Sequence, residues 1–297
     1  MARLQRRRSR RGRPNVPSPT LGGRQVWADE FVFAGWRIQR NYFTKHCRLL
    51  DAHDLRRAWG SLEECRAVFR QERNAKRLTL AGDHAVVLLH GMGRSRHCFG
   101  KLGNALHEDG FEVVAINYPS TRSRICVHAR QVGRVLEGLD GVRSVSFVTH
   151  SMGGLVAREL LALDANWRKR ITPRRLVMLG PPNRGSVLAD RFEKVLPFRL
   201  LAGAGGGDLV SRRVAAIPVP TIPFAVIAGG RGGTKGYNAL IAGDNDGVVS
   251  VRTTRLRGMQ DFLLVRALHT VLMTHPEAIA ATRAFLRFGR FEPGSEG

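Results

Sequence analysis

The chain has few acidic residues and few cysteines for its length. Its 297 residues include 24 Asp and Glu against 48 Lys and Arg, and the formal net charge at pH 7 is +24. The four cysteines are widely spaced, without a C-x-x-C pair, which argues against a disulfide framework or a metal site. No apolar run approaches the length of a membrane span, and no apolar segment follows the basic N-terminus as in a signal peptide. These absences predict a cytoplasmic protein with reduced thiols.

Positive charge is concentrated at the N-terminus, where the first fourteen residues contain seven arginines and no acid. With the prolines that follow, this composition predicts a disordered basic arm over residues 1–23. Such an arm suits contact with an anionic membrane surface, where clustered Arg or Lys contribute about 1 kcal/mol each. General basicity of the chain is the alternative explanation. No helix-turn-helix, zinc-finger or RNA-binding sheet pattern is present, which argues against nucleic acid as a partner.

The most informative segment is residues 149–153, Thr-His-Ser-Met-Gly, which follows the apolar run 145–148. A strand that enters this turn and a helix that leaves it would expose the Ser151 hydroxyl above the sheet, as in the G-x-S-x-G turn of hydrolases. Gly153 meets the need for a small residue, and Thr149 replaces the first glycine of the pattern. Ser151 is therefore a candidate nucleophile; a serine that only caps the helix is the alternative.

A second glycine-rich loop follows an apolar run upstream, with the sequence His-Gly-Met-Gly at residues 90–93. Such a loop can turn backbone N–H groups toward a ligand. In acyl transfer, two pre-aimed N–H groups stabilise the oxyanion, each by roughly 3 kcal/mol. We assign this role to the backbone of Met92 and Met152, and we expect His90 and Gly91 to support the loop.

These two segments, the run Asp-Gly-Val-Val at residues 246–249 and the late His269 together resemble the α/β-hydrolases of the bacterial lipase and esterase type. In that fold the catalytic triad follows the chain order serine, acid, histidine. The same order here implies Ser151, Asp246 and His269. Thr149 is the departure from the family pattern, since it makes the serine turn harder to build.

Four histidines compete for the role of general base, and one of them, His90, fits better as the support of the glycine-rich loop. His269 lies just after the last predicted strand, at the carboxyl edge of the sheet, where catalytic groups of open α/β folds lie. His275 fits better as the start of the closing helix. His150 adjoins Ser151, but neighbouring side chains on a sharp turn point apart. We therefore predict that His269 is the base and that His150 is structural.

The acid is expected on a long loop that offers two carboxylates, Asp244 and Asp246. It must accept a hydrogen bond from the histidine and hold the correct tautomer. Asp246 is preferred because it matches the D-G-x-V pattern of similar lipases; a polar turn without catalytic role is the alternative. The Asp-Asn-Asp spacing lacks the other ligands of a calcium loop, so we expect no metal.

The resemblance covers residues 79–291, and the pattern of apolar runs supports it. Nearly continuous apolar runs between helix-length segments predict an α/β protein with a mostly parallel sheet of about six strands and helices on both faces. The strands are expected near residues 85–89, 113–116, 145–148, 176–179, 222–228 and 262–265. Helices are expected near residues 96–108, 125–139, 153–163 and 276–288. A six-strand sheet would be a reduced, lipase-like core.

Three further segments complete the predicted organisation. Apolar and aromatic residues recur between polar ones over residues 24–78, which we interpret as a helical N-terminal extension. Residues 183–218 contain the apolar run 195–201 beside the glycine-rich stretch 203–207, as a lid or acyl-chain wall would need; a packed excursion is the alternative. Residues 292–297 form a short tail.

The sequence as a whole predicts a serine hydrolase that cleaves carboxylic esters, with an ester or lipid as substrate and no cofactor. An acyltransferase or a thioesterase on the same triad is a close alternative, because all three share the acyl-enzyme. The alternative from another class is a non-catalytic binding protein of the same fold, with a basic surface for nucleic acid or membrane.

Overall fold

A computed structural model describes residues 25–185 and 207–291 of the chain. They contain two β-sheets, one with four strands and one with six. The predicted arm, the tail and most of the predicted lid lie outside the described residues, so these expectations stay predictions. Within the described part of the chain, none of the helices has both the length and the apolarity that crossing a membrane requires.

The first sheet corrects the expectation of a helical extension over residues 24–78. Its antiparallel strands are β1 (Trp27–Phe33), β2 (Trp36–Asn41), β3 (Cys47–Leu50) and β4 (Arg56–Gly60), and a single helix follows, α1 (Leu62–Lys76). Ala34 and Gly35, with φ of 46° and 79°, form the two-residue turn that suits a β-hairpin. Two of the aromatic residues in that stretch, Phe33 and Trp36, lie opposite each other across this hairpin.

Helix α1 packs on one face of this N-terminal sheet and begins at a capping box. Ser61 Oγ accepts the N–H of Glu64 at 3.2 Å, and the Glu64 carboxylate accepts the N–H of Ser61 at 2.7 Å. The core between helix and sheet consists of Phe33, Trp36, Ile38, Cys47, Leu49, Cys65 and Phe69. The N-terminal sheet therefore has a small hydrophobic core of its own.

The second sheet has the six strands that the apolar runs predict. They are β5 (His84–Leu89), β6 (Glu112–Ile116), β7 (Ser144–His150), β8 (Thr172–Leu179), β9 (Phe224–Gly230) and β10 (Asp261–Arg266). Their order is β10-β9-β8-β7-β5-β6, and every neighbouring pair is parallel. This confirms the expected α/β architecture.

Helices cover both faces of the central sheet, as expected. Among the described residues, the α-helices of this part are α2 (Gly100–Glu108), α3 (Ile125–Glu137), α4 (Met152–Ala162), α5 (Ser211–Ala215), α6 (Val251–Thr254) and α7 (Pro276–Phe288). Val87 and Leu89 of β5 pack in one core with residues of α3 and α4. Val86 and Leu88 point to the other face and pack with residues of α2 and α7. The alternation explains why the buried strands are apolar on both sides.

Asp29 of β1 joins the N-terminal sheet to the edge of the central sheet beyond β6. Its carboxylate accepts the N–H of Asn117 at 2.7 Å, and its own N–H donates to the Asn117 carbonyl at 2.9 Å. Arg37 and Gln39 of the neighbouring strand donate to the same fully buried carboxylate at 2.9 and 2.7 Å. These bonds cover an edge that would otherwise expose unpaired backbone groups.

Because the six strands are parallel, their carboxyl ends meet at one edge of the sheet. Ser151 follows β7 directly, and His269 lies three residues after β10. The long connection between β9 and β10 carries Asp246, and the loop after β5 begins at His90. The fold thus brings the candidate site residues to the same edge.

Candidate active site

Ser151 lies on a strained turn between β7 and α4. Its φ of 55° and ψ of −128° fall outside the regions that a residue with a side chain ordinarily adopts. The turn is held because the Ser151 N–H donates to the Leu179 carbonyl at 2.8 Å and the Gly154 N–H donates to the Ser151 carbonyl at 3.0 Å. Strain of this kind persists only where surrounding bonds fix it.

Two glycines allow the close approach that this turn requires. A Cβ on Gly153 would lie 2.1 Å from the Leu89 carbonyl oxygen, and a Cβ on Gly91 would lie 2.8 Å from Ser151 Cβ. Thr149 is fully buried, and its hydroxyl lies 3.4 Å from the position of a Cβ on Gly154. The tighter contacts of that Cβ would be with Met178 Sδ and Pro181 Cβ, both at 3.2 Å, so the glycine at residue 154 serves packing against the end of β8.

The residues assigned to the oxyanion site are Met152, which follows Ser151 in the chain, and Met92. Met152 is the first residue of α4, and N–H groups in the first turn of a helix have no acceptor within the helix. Met92 belongs to the loop of residues 90–96, called the β5 loop below, whose Gly91 contacts the serine. The Met152 side chain is fully buried, and that of Met92 is partly buried against the same core. Both side chains thus anchor the backbone beside the serine.

His90 connects the β5 loop to the loop that follows β6. Its Nδ1 donates to the Gly91 carbonyl at 2.9 Å, and its Nε2 accepts the N–H of Tyr118 at 3.3 Å. The Tyr118 ring stacks on the imidazole with centroids 4.1 Å apart, and the phenol donates to the His90 carbonyl. Burial lowers the pKa of His90 to about 4, so the ring is neutral at pH 7, as one donating and one accepting nitrogen require.

Asp246 and His269 form a buried hydrogen-bonded pair. His269 Nδ1 lies 2.6 Å from Asp246 Oδ2, and the two residues are 6% and 1% exposed. The other carboxylate oxygen accepts the N–H groups of Val248 and Val249 at 3.0 and 2.7 Å. Since the carboxylate can only accept, Nδ1 carries the proton and Nε2 is left as a proton acceptor.

The two competing residues, Asp244 and His275, bond to backbone groups elsewhere. The Asp244 carboxylate accepts the N–H groups of Arg231 and Gly232, each at 2.8 Å, and so closes a loop. His275 precedes the first residue of α7, and its carbonyl accepts the Ile279 N–H at 3.0 Å. Neither residue contacts the Asp246–His269 pair in any hydrogen bond that the structure gives.

His150 holds a position that the sequence does not reveal. Its Nε2 donates to the backbone carbonyl of His269 at 2.9 Å, and the two rings lie 4.6 Å apart. Burial lowers the pKa of His150 well below its ordinary value of 6.5, which keeps the ring neutral. This residue, next to Ser151, therefore connects the serine turn to the loop that carries His269.

Gly180 is a further site residue that the sequence analysis missed. It follows β8, has a φ of +56°, and a Cβ there would lie 3.1 Å from His269 Nδ1. The preceding carbonyl, that of Leu179, accepts the Ser151 N–H. The end of β8 thus lies between serine and histidine. In the sequence, the Gly-Pro-Pro segment at residues 180–182 follows the apolar run 176–179, and this pattern indicates only that a strand ends there.

No group of three or more His, Cys, Asp or Glu side chains within the described ranges is arranged to hold a metal ion. The acidic loop around Asp244 and Asn245 uses its side-chain oxygens on backbone N–H groups, including those of Asn238 and Gly247 at 2.9 and 3.1 Å. These oxygens therefore serve the loop itself.

The comparisons with known proteins agree with this architecture. The sequence profile of the alpha/beta hydrolase family matches residues 86–285. No curated protein sequence matches the chain. The fold is similar to mature lipase BlEst2 from Bacillus licheniformis, with 17% identity, a TM-score of 0.55 and coverage of 70% of this chain and 92% of that one. It is also similar to phospholipase PlaB from Legionella pneumophila in complex with thio-NAD, with 20% identity, a TM-score of 0.51 and coverage of 66% of this chain and 57% of that one.

Proposed function

The chain belongs to the alpha/beta hydrolase family, and from this premise we propose that it is a serine hydrolase that cleaves carboxylic esters through an acyl-enzyme. Ser151 is the nucleophile, His269 the general base and acid, and Asp246 the residue that orients the histidine. The backbone N–H groups of Met92 and Met152 bind the oxyanion. The reaction requires no cofactor.

In the first half of the reaction, Ser151 Oγ attacks the ester carbonyl carbon and its proton passes to His269 Nε2. The carbonyl oxygen becomes an oxyanion that accepts the two backbone N–H groups. The bond from carbon to the alcohol oxygen then breaks, and the departing alkoxide takes the proton from His269. Asp246 keeps Nδ1 protonated and stabilises the imidazolium.

In the second half, His269 takes a proton from water as the water oxygen attacks the acyl-enzyme carbonyl. The new tetrahedral intermediate breaks its bond to Ser151 Oγ, which regains a proton from His269. The carboxylic acid is released and the enzyme returns to its starting state. An alcohol or thiol in place of water gives acyl transfer, and a thioester in place of the ester gives thioesterase activity.

The observation that carries the proposal is the buried pair of His269 Nδ1 and Asp246 Oδ2, 2.6 Å apart. The other oxygen of the Asp246 carboxylate accepts two backbone N–H groups, which fix the orientation of the carboxylate. It therefore fixes one tautomer and one orientation of the ring, as acyl transfer demands. The strained backbone of Ser151 at the same sheet edge supports the role of nucleophile.

Apolar side chains next to this pair support an ester or lipid substrate. Tyr237, Val248 and Leu268 are 43%, 41% and 46% exposed. A Cβ on Gly247 would lie 3.6 Å from Leu268 and 3.8 Å from Tyr237, so these two side chains flank the same glycine beside the acid. An exposed apolar surface at this place fits the hydrocarbon part of an ester better than a charged substrate.

A p-nitrophenyl ester series and a matched thioester test the proposal. The wild-type protein should release p-nitrophenol, and Ser151→Ala should be at least about 10³-fold slower with the same melting temperature. A product ester formed when an alcohol is added would identify an acyltransferase, and faster thioester cleavage a thioesterase. Folded wild-type protein without turnover of any ester or thioester would favour the binding protein and contradict the proposal.

A further inference from the structure

We propose that the N-terminal sheet forms part of the active site, because Gln25 and Asp54 hold the β5 loop and thereby position the backbone N–H of Met92. The inference rests on the proposed function, in which that N–H binds the oxyanion. Gln25 and Asp54 are positioning residues that act through the loop. Both lie outside residues 86–285, which match the family profile.

The first contact runs through the Gln25 amide. Its Nε2 donates to the Arg94 carbonyl at 2.6 Å. Its Oε1 accepts the Ser120 hydroxyl at 3.1 Å and the backbone N–H of Thr121 at 3.3 Å. One side chain from just before β1 therefore joins the loop after β5 to the loop after β6.

Ser120 completes this network from the central sheet. Its hydroxyl oxygen accepts the Gly93 N–H at 2.9 Å while its hydrogen is donated to Gln25. The residue is fully buried, so losing the Gln25 acceptor would leave its hydroxyl hydrogen unpaired and away from water, which is unfavourable. The two residues that follow Met92 are thus each fixed by a hydrogen bond that depends on Gln25.

The second contact is an ion pair between the turn before β4 and the far end of the loop. Arg96 Nη2 donates to both carboxylate oxygens of Asp54. Asp54 has a φ of +62°, and the N-terminal sheet holds it there because the Asp54 N–H donates to the Asp51 carbonyl at 3.0 Å. The loop is therefore held at Arg94 and at Arg96 by two separate parts of the same sheet.

The loop needs such support for a physical reason. Residues 90–95 have no helix or strand of their own, and Gly93 has a φ of +71° with no atom within 4 Å of a Cβ built there. An oxyanion donor must be fixed before the reaction, because reorganising it in the transition state removes its benefit. A displacement of about 1 Å in such a group can cost on the order of 10²-fold in rate.

The test compares Gln25→Ala and Asp54→Ala with the wild type, using hydrolysis of a soluble ester and hydrogen exchange of the backbone. We expect kcat to fall at least about tenfold in Gln25→Ala with KM within about twofold, because oxyanion donors act mainly in the transition state. The amides of Gly93 and Arg94 donate to Ser120 Oγ and to the Gly91 carbonyl, and their exchange should accelerate at least about tenfold. Asp54→Ala should show the same pattern more weakly.

Tyr42→Phe is the matched control. It removes a hydrogen bond of 3.2 Å between the same sheet and the Arg122 carbonyl and leaves the β5 loop contacts intact, so kcat and loop exchange should not change. Gln25→Met, which keeps the length of the side chain without its hydrogen bonds, replaces Gln25→Ala if that variant does not fold. It should show the same kinetic and exchange changes.

The exchange measurement separates this inference from the proposed function. If the wild type has no esterase activity, faster exchange of the β5 loop in Gln25→Ala still supports the inference that Gln25 fixes this loop. Unchanged exchange would overturn the inference whether or not the protein is an esterase. Faster exchange with unchanged kcat in an active enzyme would also overturn it, because the loop would then be held without any effect on the oxyanion.

Discussion

Gly153 lies so close to the carbonyl of Leu89 that a Cβ at residue 153 would stand 2.1 Å from the carbonyl oxygen. This contact joins the first turn of α4 to the end of β5, on either side of the serine turn. Atoms cannot approach to that distance, so the turn as built excludes any side chain at residue 153. The other small-residue position of the pattern holds Thr149, which is fully buried and whose hydroxyl donates to the Val177 carbonyl at 3.4 Å.

We therefore predict that Gly153→Ala lowers the free energy of unfolding by about 3 kcal/mol, because backbone atoms must move to admit the methyl group. Gly133→Ala, inside α3, is the control. Its Cβ would meet Leu160 and Trp167 at 3.7 and 3.8 Å, an ordinary contact, and alanine is the better helix former by about 0.5–1 kcal/mol. Urea unfolding should show opposite signs for the two variants; equal losses would mean that the packing at Gly153 is not special.

Asp246→Asn should lower kcat by about 10² to 10⁴ on a good ester substrate, because an amide at this place favours the wrong tautomer of His269. Asp244→Asn is the matched control, because the same change there affects a carboxylate that binds only backbone N–H groups in the described loop. Steady-state kinetics with a stability check would measure both. A larger kcat loss in Asp244→Asn would transfer the role of acid to that residue.

His269→Ala should lower kcat by at least about 10³-fold, since the proton of Ser151 then has no acceptor. His275→Ala should keep most of the activity, because that side chain lies at the start of α7. Added imidazole should restore part of the rate in His269→Ala alone. The assignment is wrong if His275→Ala is the more damaging change or the one that imidazole rescues.

The protein should lose stability as the pH falls from 6.5 towards 4. Burial lowers the pKa of both His90 and His128 to about 4 from an ordinary value of 6.5. In this range the unfolded chain binds protons at these residues and the folded chain does not, so stability rises with pH by up to about 1.4 kcal/mol per unit for each histidine. Above pH 6.5 the two histidines are neutral in both the folded and the unfolded chain, so they no longer make the stability depend on pH.

His128→Gln isolates one of these two protonations. The free energy of unfolding of the wild type and the variant should be measured in urea between pH 7 and pH 4.5. Its slope against pH should be smaller in the variant by an amount that corresponds to about one proton fewer taken up on unfolding. An unchanged slope would show that His128 is protonated as readily in the folded protein as in the unfolded chain.

The sequence could predict the central sheet because its strands are buried on both faces. A short apolar run such as Val86-Val87-Leu88-Leu89 that is followed by glycines is typical of a buried strand. The closing helix, Pro276–Phe288, has the predicted bounds because a proline in its first turn and Gly289 after its end are strong local signals. The order of serine, acid and histidine led to residues that the fold brings to one edge, while their catalytic roles stay predictions.

The N-terminal sheet could not be read in the same way. Its strands are short and half buried, and polar residues such as Asp29 and Arg37 point into the interface with the central sheet. The pairing of Phe33 with Trp36 depends on the Ala34-Gly35 turn, which a search for helical spacing overlooks. The prediction of a helical extension was therefore wrong for all of it except α1.

Contacts between distant residues were also beyond the sequence. Gln25 bonds to the carbonyl of Arg94 and to Ser120, and a glutamine in a polar stretch gives no sign of partners so far along the chain. The same holds for His150, whose bond to the His269 carbonyl depends on how two loops meet at the sheet edge. Only the folded chain reveals these positioning contacts.

The proposed nucleophile is tested most directly by labelling with a fluorophosphonate, followed by mass spectrometry of the labelled peptide. The reagent reacts with a serine that has both a base and an oxyanion site beside it. We predict that the wild type is labelled at Ser151 alone and that folded Ser151→Ala is not labelled. Labelling that persists in Ser151→Ala, or no labelling of folded wild-type protein, would contradict the account.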